Sequence, residues 1–597
     1  MKSLELIVTC VVILHILKPS DGIFHPGKQL LNVISNLKYL QRNDHPCGSP
    51  EVLIPMLKGK DPVKPSQLGM MMVYMNRLNI TDPPGLDSIF DSLKNLMDQG
   101  MTPSDVAAYN AWKSRLEVYV STINALYDRF TTLRKDEAPI NVDDWMALAT
   151  DIEETMPSNL TAFRAELLNR RNQPGDPPLL TDLVHSSARV MTSRCTDAFA
   201  MNGFFNLLSN LVFMTQLKAT VPQIFSSLLR NCNGTVRKDN LNRLATQHRD
   251  GYLEIVRGLK DALIFLPDSL VPCYSSNEGP IRGQDYYELE ISEQLTVQQF
   301  PDPEGHKSCS AAQQAQSLTI QSPRDVCNGT LYDCEYSEWL EACRLENSTK
   351  RYEWIKSAHG NYGEILEECP GGSIFYYRRE RNPLIGHCVC KCQETVNHIS
   401  VTPAMTDQSA HMVLTGFRFV LENGVLYLQV KQGKMLPGEK IDAASEEWVP
   451  LPKDPKLVPL NSQNSNFHIG DVMTDMSDAP VGISFVKNNN GFYLQMHAVS
   501  YEYYHGVFPA YPRDVRPAQR NQPETYVKFQ LSNRGDKTVG QVLPLLNAKA
   551  AEADPPVLLG GLGIAYDSTL GGMISPRIKG FDFSDIFKRI EDDRLYR

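Results

Sequence analysis

Aromatic and amide side chains recur at one spacing in two stretches of the chain, a combination typical of ligand recognition. Tyr427 is followed two residues later by Gln429, and Tyr493 by Gln495. An aromatic ring offers an apolar surface and an amide orients a ligand by hydrogen bonds, which suits a sugar or a lipid headgroup. The alternative is that these side chains pack across neighbouring strands and stabilise a sheet. The four residues are therefore candidates for a ligand face.

A second candidate is a compact basic and aromatic segment. Arg378, Arg379 and Arg381 follow the aromatic run from Phe375 to Tyr377. Guanidinium groups at this density favour an anionic partner such as a sulfated glycan or a lipid headgroup. The alternative is a solvated loop in which the arginine stems cover the rings.

The cysteines predict disulfides rather than a metal site. Cys388, Cys390 and Cys392 alternate, whereas zinc ligands are usually spaced more widely. Without Cys10, which lies in the N-terminal segment discussed below, an even number remains, and this favours full pairing in an oxidising compartment. The expected disulfide cysteines are Cys47, Cys195, Cys232, Cys273, Cys309, Cys327, Cys334, Cys343, Cys369, Cys388, Cys390 and Cys392. No metal and no cofactor is expected.

Sequence motifs of catalysis and nucleotide binding are missing. The chain has no Gly-x-Ser-x-Gly elbow and no His-Glu-x-x-His helix. The glycines at 560–563 and 571–572 do not fit a phosphate-binding loop, so they predict turns or close strand packing. We therefore expect no enzyme and assign no catalytic residue. A hydrolase stays an alternative, because the members of a triad converge in space and not in sequence.

Two β-hairpins must position the first candidate face. Residues 416–430 (GFRFVLENGVLYLQV) and 482–496 (GISFVKNNNGFYLQM) align without a gap and share seven of fifteen residues. Similarity of this kind marks a repeated structural unit.

The turns of these hairpins set the register. Asn423-Gly424 is typical of a two-residue type I′ turn, and the second copy turns at Asn489-Asn490. Strand alternation then places the Tyr and Gln side chains on one face and an apolar set on the other. The apolar set of the first copy is Phe417, Phe419, Leu421, Leu426, Leu428 and Val430.

Helical periodicity dominates from about Leu30 to Leu266. The clearest helix begins at Thr102-Pro103, where proline suits the first helical position, and continues to Leu133. Further helices are predicted at 30–40, 142–155, 160–171, 203–217 and 240–265, with breaks at Pro157, Pro174 and Pro222. The apolar stripes of these helices fit either a packed bundle or a lipid carrier.

Charge and the N-terminus limit the class of protein. The 597 residues carry a formal net charge of -10 at pH 7, which argues against nucleic acid as a partner. An apolar run followed by small residues predicts a signal peptide at 1–22. No later run is long enough for a membrane span, so a secreted, extracellular protein is predicted. Five sequons are expected to carry N-glycans: Asn79, Asn159, Asn233, Asn328 and Asn347.

The predicted fold is a multidomain α+β protein. After the signal peptide come an all-α helical domain at 23–270 and a loop-rich, disulfide-rich connector at 271–403. An antiparallel β domain with the duplicated hairpin follows at 404–583, and a C-terminal tail at 584–597.

Several motifs after residue 270 occur together in a known family. They are the run from Cys327 (CNGTLYDC), residues 351–355 (RYEWI), the alternating cysteines from Cys388, and residues 413–419 (VLTGFRF). Together they resemble a family of secreted insect proteins that share a domain of unknown function, over about residues 270–585. The resemblance implies an extracellular or haemolymph location and lipid binding, and it implies no catalytic residue. The second hairpin departs from the family pattern, because Ser484 stands where the family strand carries arginine.

Three functional hypotheses follow. The leading one is a secreted, non-enzymatic protein that binds lipid or another amphipathic ligand, and it rests on the amphipathic helices and the resemblance. The second is a lectin-like or matrix-interaction protein that binds glycans through the β domain. The third is an extracellular hydrolase, which requires Ser, His and acidic side chains in one place.

Overall fold

A computed structural model describes most of the chain. The described residues are 26–27, 29–30, 33–34, 50–57, 103–136, 139–168, 197–233, 235–236, 238–264, 269–272, 281–289, 291–310, 327, 330–345, 351–363, 368–378, 384–395, 397–460, 465–475, 478–509, 511–515, 526–528, 530–532, 541–543, 545–567 and 572–581. Several predictions lie outside this part of the chain: the signal peptide, the C-terminal tail, Asn79, Asn328, Asn347, Cys47, Cys195, Cys273, Pro174, Arg379 and Arg381.

Besides helical residues at 26–27, 29–30 and 33–34, the described residues include five α-helices, all N-terminal to the large sheets. They are α1 (Pro50–Leu57), α2 (Pro103–Lys135), α3 (Val142–Leu168), α4 (Asp197–Asn231) and α5 (Lys238–Leu263). The predicted breaks at Pro157 and Pro222 are wrong, because these prolines lie inside α3 and α4. Proline removes one hydrogen bond of the helix, but Met156 and Leu160 beside Pro157 are buried, so packing compensates.

Helix α4 is the centre of the bundle. Every residue from Leu208 to Ser226 is buried, so no side of this stretch faces solvent. Helices α2, α3 and α5 all contact α4. Their apolar stripes share one core with it, which includes Trp112, Phe163 and Tyr252. Helices α2, α3 and α5 therefore pack around α4, and the four form a bundle.

A disulfide-rich module of strands follows the bundle. Strands β1 to β11 of the chain are Cys232–Asn233, Thr235–Val236, Ser269–Leu270, Tyr286–Tyr287, Ile291–Pro301, Thr330–Ser337, Trp339–Leu345, Trp354–Ser357, Gly360–Gly363, Gly372–Arg378 and Ile385–Thr395. Strands β1 and β2 pair with each other between α4 and α5, and β3 and β4 pair with later strands that contain Ile578 and Leu546. In the module β5-β11-β6 form one sheet and β10-β7-β8-β9 another. The sequence predicts a loop-rich module here, and the described residues of the module include two paired sheets.

Four disulfides tie the module together. Three bonds leave one face of β11 and join Cys388 to Cys309, Cys390 to Cys334 and Cys392 to Cys327. The fourth joins Cys343 to Cys369. Pairing is thus confirmed for eight of the expected cysteines, and it excludes thiolate ligation of a metal by the alternating three.

Eighteen strands follow Thr395 in the described residues, beside a 3₁₀-helix at Gln408–Ala410. Strands β12 to β29 are His398–Ser400, Ala404–Met405, Met412–Glu422, Val425–Leu436, Lys440–Trp448, Leu457–Pro459, Asn466–His468, Gly470–Met473, Asp478–Asn488, Gly491–Ser500, Arg513–Val515, Tyr526–Lys528, Gln530–Ser532, Gln541–Leu543, Leu545–Asn547, Ala551–Glu552, Gly561–Asp567 and Met573–Lys579. The predicted order of helices followed by mainly antiparallel strands is confirmed.

Three six-stranded sheets enclose one core. The first sheet has the order β17-β12-β15-β14-β27, the second β13-β20-β21-β18-β23, and the third β19-β28-β29-β26-β4. The sixth strand of each, β16, β22 or β3, pairs with the second strand of its central hairpin. Apolar residues from all three inner faces pack together, including Phe419, Phe485 and Ile564. Each pair of sheets is in contact. The domain is therefore a three-sided prism, and each sheet has an outer face directed away from the shared core.

One pattern of strand pairing recurs in the three sheets. Each sheet is centred on an antiparallel hairpin, β14-β15, β20-β21 or β28-β29. A short strand runs parallel to the second hairpin strand in every sheet: β12, β18 and β26. Another short strand pairs with the first hairpin strand: β27, β13 and β19. The chain therefore contains three structural repeats, one more than the sequence alignment reveals.

The predicted register of the first two hairpins is confirmed. Asn423 and Gly424 have φ angles of 51° and 75°, as a type I′ turn requires. Val420 lies opposite Tyr427 in the first copy, and Val486 lies opposite Tyr493 in the second. Five of the six predicted core residues of the first hairpin are at most 5% exposed, and Leu421 is half-buried.

Close strand packing explains the glycine that begins each hairpin repeat. A Cβ added to Gly416 would lie 2.9 Å from the Ala551 carbonyl oxygen, one on Gly482 2.8 Å from that of Ala404, and one on Gly561 2.6 Å from that of Val472. Such contacts leave no room for a side chain. Gly561 thus occupies a site of close strand packing.

Candidate functional site

The outer face of the four-stranded sheet in the disulfide-rich module carries exposed aromatic and cationic side chains. On this sheet Arg378 of β10 lies opposite Trp339 of β7, and Tyr376 lies opposite Glu341. Glu341 in turn lies opposite Lys356 of β8. Because cross-strand partners project to the same side, Trp339, Tyr376, Arg378 and Lys356 share one face. We call these four residues the aromatic-arginine face.

The aromatic rings of this face are open to solvent. Trp339 is 41% exposed and Tyr376 is 56% exposed. Arg378 is exposed as well, and no described residue forms an ion pair with its guanidinium. The Lys356 Nζ lies 4.9 Å above the ring of the buried Trp354, which holds a second cation close by.

The opposite face of this sheet is built into the core. Leu340, Ala342 and Ile355 pack against Val297 and Val389 of the neighbouring sheet. Arg344 stacks on Tyr352 and Phe375 on this side, with 4.9 Å and 5.1 Å from its guanidinium carbon to the ring centres. The Cys343–Cys369 disulfide fixes β7 to the turn before β10. The aromatic-arginine face is therefore displayed on a rigid support.

The structure changes the interpretation of the predicted basic segment. Arg378 ends a regular edge strand and not a solvated loop. Phe375 and Tyr377 point toward the core side, whereas Tyr376 points outward with Arg378, because strand residues alternate. Trp339 was not predicted, since it comes from a different strand. Alternation of exposed and apolar residues around it is the signal that could have found it.

The predicted Tyr and Gln residues lie on two separate outer faces. Tyr427 and Gln429 belong to the first sheet of the prism, and Tyr493 and Gln495 to the second. Gln429 Oε1 accepts a hydrogen bond from Arg418 Nε (2.9 Å), and its Nε2 donates to the Val449 carbonyl oxygen (2.9 Å). The amide of Gln429 is thus used within the sheet. A ligand role for these four residues stays a prediction.

A stacked arginine and ion pairs between side chains stabilise the outer face of the first sheet. The guanidinium carbon of Arg418 lies 4.3 Å from the centre of the Trp448 ring. Lys431 Nζ lies 3.1 Å from Glu446 Oε2 and 2.9 Å from Glu552 Oε2. Burial lowers the pKa of Lys431, but the hydrogen bonds to the two carboxylates outweigh it and raise that pKa above its usual value. Lys431 is therefore a permanent cation.

The outer face of the second sheet carries a different set of side chains. Ser484 Oγ lies 3.2 Å from His497 Nε2. His497 Nδ1 lies 2.9 Å from Asp514 Oδ1. The three residues come from the adjacent strands β20, β21 and β22, so regular strand pairing holds them in a row. We call this row the Ser-His-Asp relay. It gives the hydrolase alternative a specific location.

A buried carboxyl group joins the bundle to the prism. Glu439, in the turn between β15 and β16, accepts hydrogen bonds from Asn206 Nδ2 (2.6 Å) and Asn210 Nδ2 (2.8 Å) of α4. Tyr501 also donates its hydroxyl proton to Glu439. Burial raises the pKa of Glu439 above its ordinary value, and the three hydrogen bonds act in the opposite direction. Glu439 has a φ of 65°, a left-handed conformation that its neighbours must maintain.

Two titratable side chains inside the helical bundle, Lys218 and His248, have hydrogen-bond partners. Lys218 of α4 is 1% exposed, and its Nζ donates to Asn124 Oδ1 (2.9 Å). His248 of α5 lies within hydrogen-bond distance of Thr220, 3.1 Å from His248 Nδ1 to Thr220 Oγ1. Burial, reinforced by the charge of Arg164, lowers the pKa of His248 to about 3, so its ring is neutral. These contacts favour a packed bundle, and lipid binding by the helices stays a prediction.

Two of the predicted glycosylation sites fall in described elements. Asn159 lies within α3, where its Nδ2 donates to the Thr155 carbonyl oxygen (2.9 Å). Asn233 lies in β1. N-glycans at both sites stay predictions.

A family model matches part of the chain. The family model described as a domain of unknown function (DUF4803) matches residues 192–430, from just before α4 to within β15. The presence of a domain of unknown function is thus confirmed, although the match begins earlier and ends earlier than the resemblance noted above. An insect source and a link between the family and the repeated hairpin stay predictions. No curated protein matches the chain.

Two solved structures from Bacillus thuringiensis align over most of the chain. The mosquito-larvicidal Cry4Aa toxin is 10% identical, with 92% of this chain and 72% of the toxin covered and a TM-score of 0.17. The insecticidal delta-endotoxin Cry8Ea1 is 9% identical, with 93% and 73% covered and a TM-score of 0.18. Scores this low carry no argument about fold or function.

Of the helices in the described residues, none combines the length and the apolar character needed to cross a membrane. The four disulfides are compatible with a secreted protein.

Proposed function

We propose that this protein is a secreted, disulfide-stabilised binding protein that recognises acidic glycans through the aromatic-arginine face. One observation carries the proposal: Trp339, Tyr376 and Arg378 are exposed together on one face of a sheet whose other face is core. Exposed aromatic side chains grouped beside a cation mark a binding surface rather than packing.

The chemistry of this face fits a sugar that carries sulfate or carboxylate groups. The rings of Trp339 and Tyr376 offer flat apolar surfaces for the C–H faces of a sugar ring. The Arg378 guanidinium is permanently charged, and its planar donors match two oxygens of a sulfate or carboxylate. Lys356 adds a second positive charge at the same face, and Glu341, which lies opposite Lys356, contributes one negative charge. The net charge of the whole chain is negative, so attraction of an anion must be local.

Rigidity supports the same proposal. Binding to a preformed surface avoids the entropic cost of ordering loops. Strands β7 and β10 are fixed by pairing along their length and by the Cys343–Cys369 bond. Disulfides of this density are typical of extracellular proteins, and they support the secreted location that belongs to the proposal.

In the part of the chain that the structure describes, no contact specifically favours lipid binding, the leading hypothesis from the sequence. The apolar stripes of α2, α3 and α5 are covered by α4. An amphipathic ligand would have to open this core or use another surface. The glycan proposal needs no such rearrangement.

The direct test is binding of the purified full-length protein to immobilised heparin, a sulfated glycan, with a neutral dextran surface as reference. We expect binding that weakens as salt rises, because surface charge pairs are screened. Arg378→Gln should weaken it about tenfold, the value of one charge-assisted hydrogen bond. Trp339→Ala combined with Tyr376→Ala should weaken it at least as much, on the order of tenfold, through loss of ring contact.

Two matched variants control this experiment. Tyr511→Ala removes a ring that is 95% exposed on the prism, and Lys307→Gln removes a cation of the module that pairs with Glu338. Both should bind heparin like the wild type. Equal losses in the controls, or heparin binding that survives both face variants, would refute the proposal. Binding to anionic phospholipid vesicles without binding to heparin would replace the glycan by a lipid headgroup.

A further inference from the structure

We propose that Ser484, His497 and Asp514 act as nucleophile, general base and orienting carboxylate in the hydrolysis of carboxyl esters that carry a small acyl group. This activity lies in the second sheet of the prism and is independent of the aromatic-arginine face.

The atoms are connected in the order that this chemistry requires. Nε2 of His497 faces the Ser484 hydroxyl at 3.2 Å, and Nδ1 faces the Asp514 carboxylate at 2.9 Å. When Nδ1 carries the proton and its N–H donates a hydrogen bond to the Asp514 carboxylate, Nε2 presents a lone pair to the Ser484 O–H. A nucleophile next to a base that a third group orients is the arrangement that activates serine.

Comparison with the first sheet shows that the relay is not a requirement of the fold. Ser484, His497 and Asp514 occupy the ladder positions of Arg418, Lys431 and Trp448. The first sheet fills these positions with a stacked arginine and a permanent cation, and it is equally well paired. The second sheet has different residues at all three positions. Together they provide a nucleophile, a general base and an orienting carboxylate.

Gln495 has a place in this arrangement. It lies directly opposite Ser484 on the same outer face, as Gln429 lies opposite Arg418 in the first sheet. Since Ser484 replaces the arginine, the amide of Gln495 is not held by a guanidinium at this position. Its N–H groups can donate to the oxyanion that develops beside Ser484.

Burial limits the substrate. Ser484 is 3% exposed and His497 9% exposed, whereas the Asp514 side chain is 55% exposed. The row therefore runs from the covered serine to the surface. Because Ser484 is almost fully covered, we expect it to react with an acetyl-sized group and not with a long acyl chain.

The reaction balances without a cofactor. Ser484 Oγ forms a bond to the ester carbonyl carbon and its proton passes to His497 Nε2. The C–O bond to the alcohol breaks, and the alcohol leaves with that proton. Water then attacks the acyl-serine, gives one proton to Nε2, and releases the carboxylic acid as Ser484 recovers its proton.

The test uses the folded full-length protein and a fluorophosphonate probe, followed by peptide mapping. Ser484 Oγ should displace fluoride from phosphorus, and the adduct should be found on Ser484, a result that needs no variant. His497→Gln should slow labelling about 100-fold or more, as expected for loss of a general base. Asp514→Asn should also slow it, and Ser484→Ala should abolish it. His505→Gln, which alters an exposed histidine paired with Glu502, should leave the rate unchanged.

Turnover of p-nitrophenyl acetate should follow the same order of variants, and p-nitrophenyl palmitate should not be cleaved. Circular dichroism of each variant establishes that it is folded, and urea-unfolded wild type gives the background of labelling. An adduct on another serine, or labelling of folded wild type at the unfolded rate, would overturn the proposal. So would equal labelling of a folded His497→Gln variant. None of these outcomes bears on heparin binding, so the two proposals fail separately.

Discussion

The first and second sheets of the prism have nearly the same inner face and different outer faces. Inside, Phe419 and Phe485 occupy equivalent positions and stack on each other, with 6.4 Å between ring centres. Outside, Lys431 of the first sheet is fixed by two carboxylates, and its equivalent His497 lies between a hydroxyl and a carboxylate. The shared core thus constrains one face of each repeat, and the other face is free to acquire its own chemistry.

The third sheet extends the comparison. Its residue equivalent to Lys431 is Lys579, which lies opposite Gly561 as Lys431 lies opposite Gly416. Asp471 pairs with both Arg577 Nη2 (2.6 Å) and Lys579 Nζ (3.5 Å). Two of the three outer faces therefore use a lysine ion pair at this position. The second sheet is the exception, and this difference makes it the more specialised face.

The largest loss of stability should come from substitutions in the core that the sheets share. Phe419→Ala and Phe485→Ala should each lower the free energy of unfolding by about 4 kcal/mol, because both rings are buried and leave a cavity. Urea denaturation followed by circular dichroism measures the loss. The double variant should lose less than the sum, since the two rings contact each other.

Val486→Ala, on the half-buried outer face of the second hairpin, is the matched control and should cost about 1 kcal/mol. A large difference between the two phenylalanine variants would break the equivalence of the inner faces.

The sequence predicts two of the three repeats because they keep identical side chains. The third hairpin shares with the first copy the glycine at Gly561 and an apolar alternation at Leu562 and Ile564. Its register is nevertheless the same, since Leu562 pairs with Ile578 as Phe417 pairs with Val430. The strand register therefore shows that the third hairpin is equivalent to the first. An alignment of the sequences does not show it.

Prediction of the candidate sites depends in the same way on strand neighbours. Arg378 and Tyr376 lie in one segment of the sequence, but Trp339 joins them only through the pairing of β7 with β10. Ser484, His497 and Asp514 are separated by intervals of 13 and 17 residues, so no local motif contains them. The hairpin register places Ser484 and His497 on one face, but the partner strand β22 lies in a proline-rich segment that gives little strand signal. The alternating cysteines of β11 also indicate a strand, because a spacing of two puts all three on one face.

The second largest loss of stability should come from substitution of Glu439, at the junction where the first and second sheets meet the helices. Glu439 comes from the first sheet, Tyr501 follows the second, and Asn206 and Asn210 come from α4. Glu439→Ala should lower the free energy of unfolding by about 3 kcal/mol, because three buried donors lose their acceptor. Glu439→Gln keeps an acceptor and should cost less.

The pH dependence of this junction has a definite sign. The pKa of Glu439 is higher in the folded protein than its ordinary value of 4.5, mainly because of burial. The folded state therefore binds the proton more tightly, and the contribution is fully present below pH 4.5 and decreases as pH rises through the folded pKa. The difference in unfolding free energy between wild type and Glu439→Gln should change across this window and be constant well above it. A constant difference at all pH values would show that the carboxyl group titrates normally.

The smallest losses of stability are expected on the outer faces, and they test most directly how the two outer faces differ. Lys431→Met should cost about 2 kcal/mol, because it leaves Glu446 and Glu552 facing each other without a cation. His497→Gln should cost about 1 kcal/mol, because an amide replaces the ring and no charge is left unpaired. Urea denaturation compares the two, with the exposed Lys487→Gln as a surface control. If His497→Gln were the more costly variant, the relay would be a structural support of its sheet, as the ion pair is in the first sheet. A smaller cost means that the fold does not need His497, and that its position between a serine and an aspartate requires a chemical explanation.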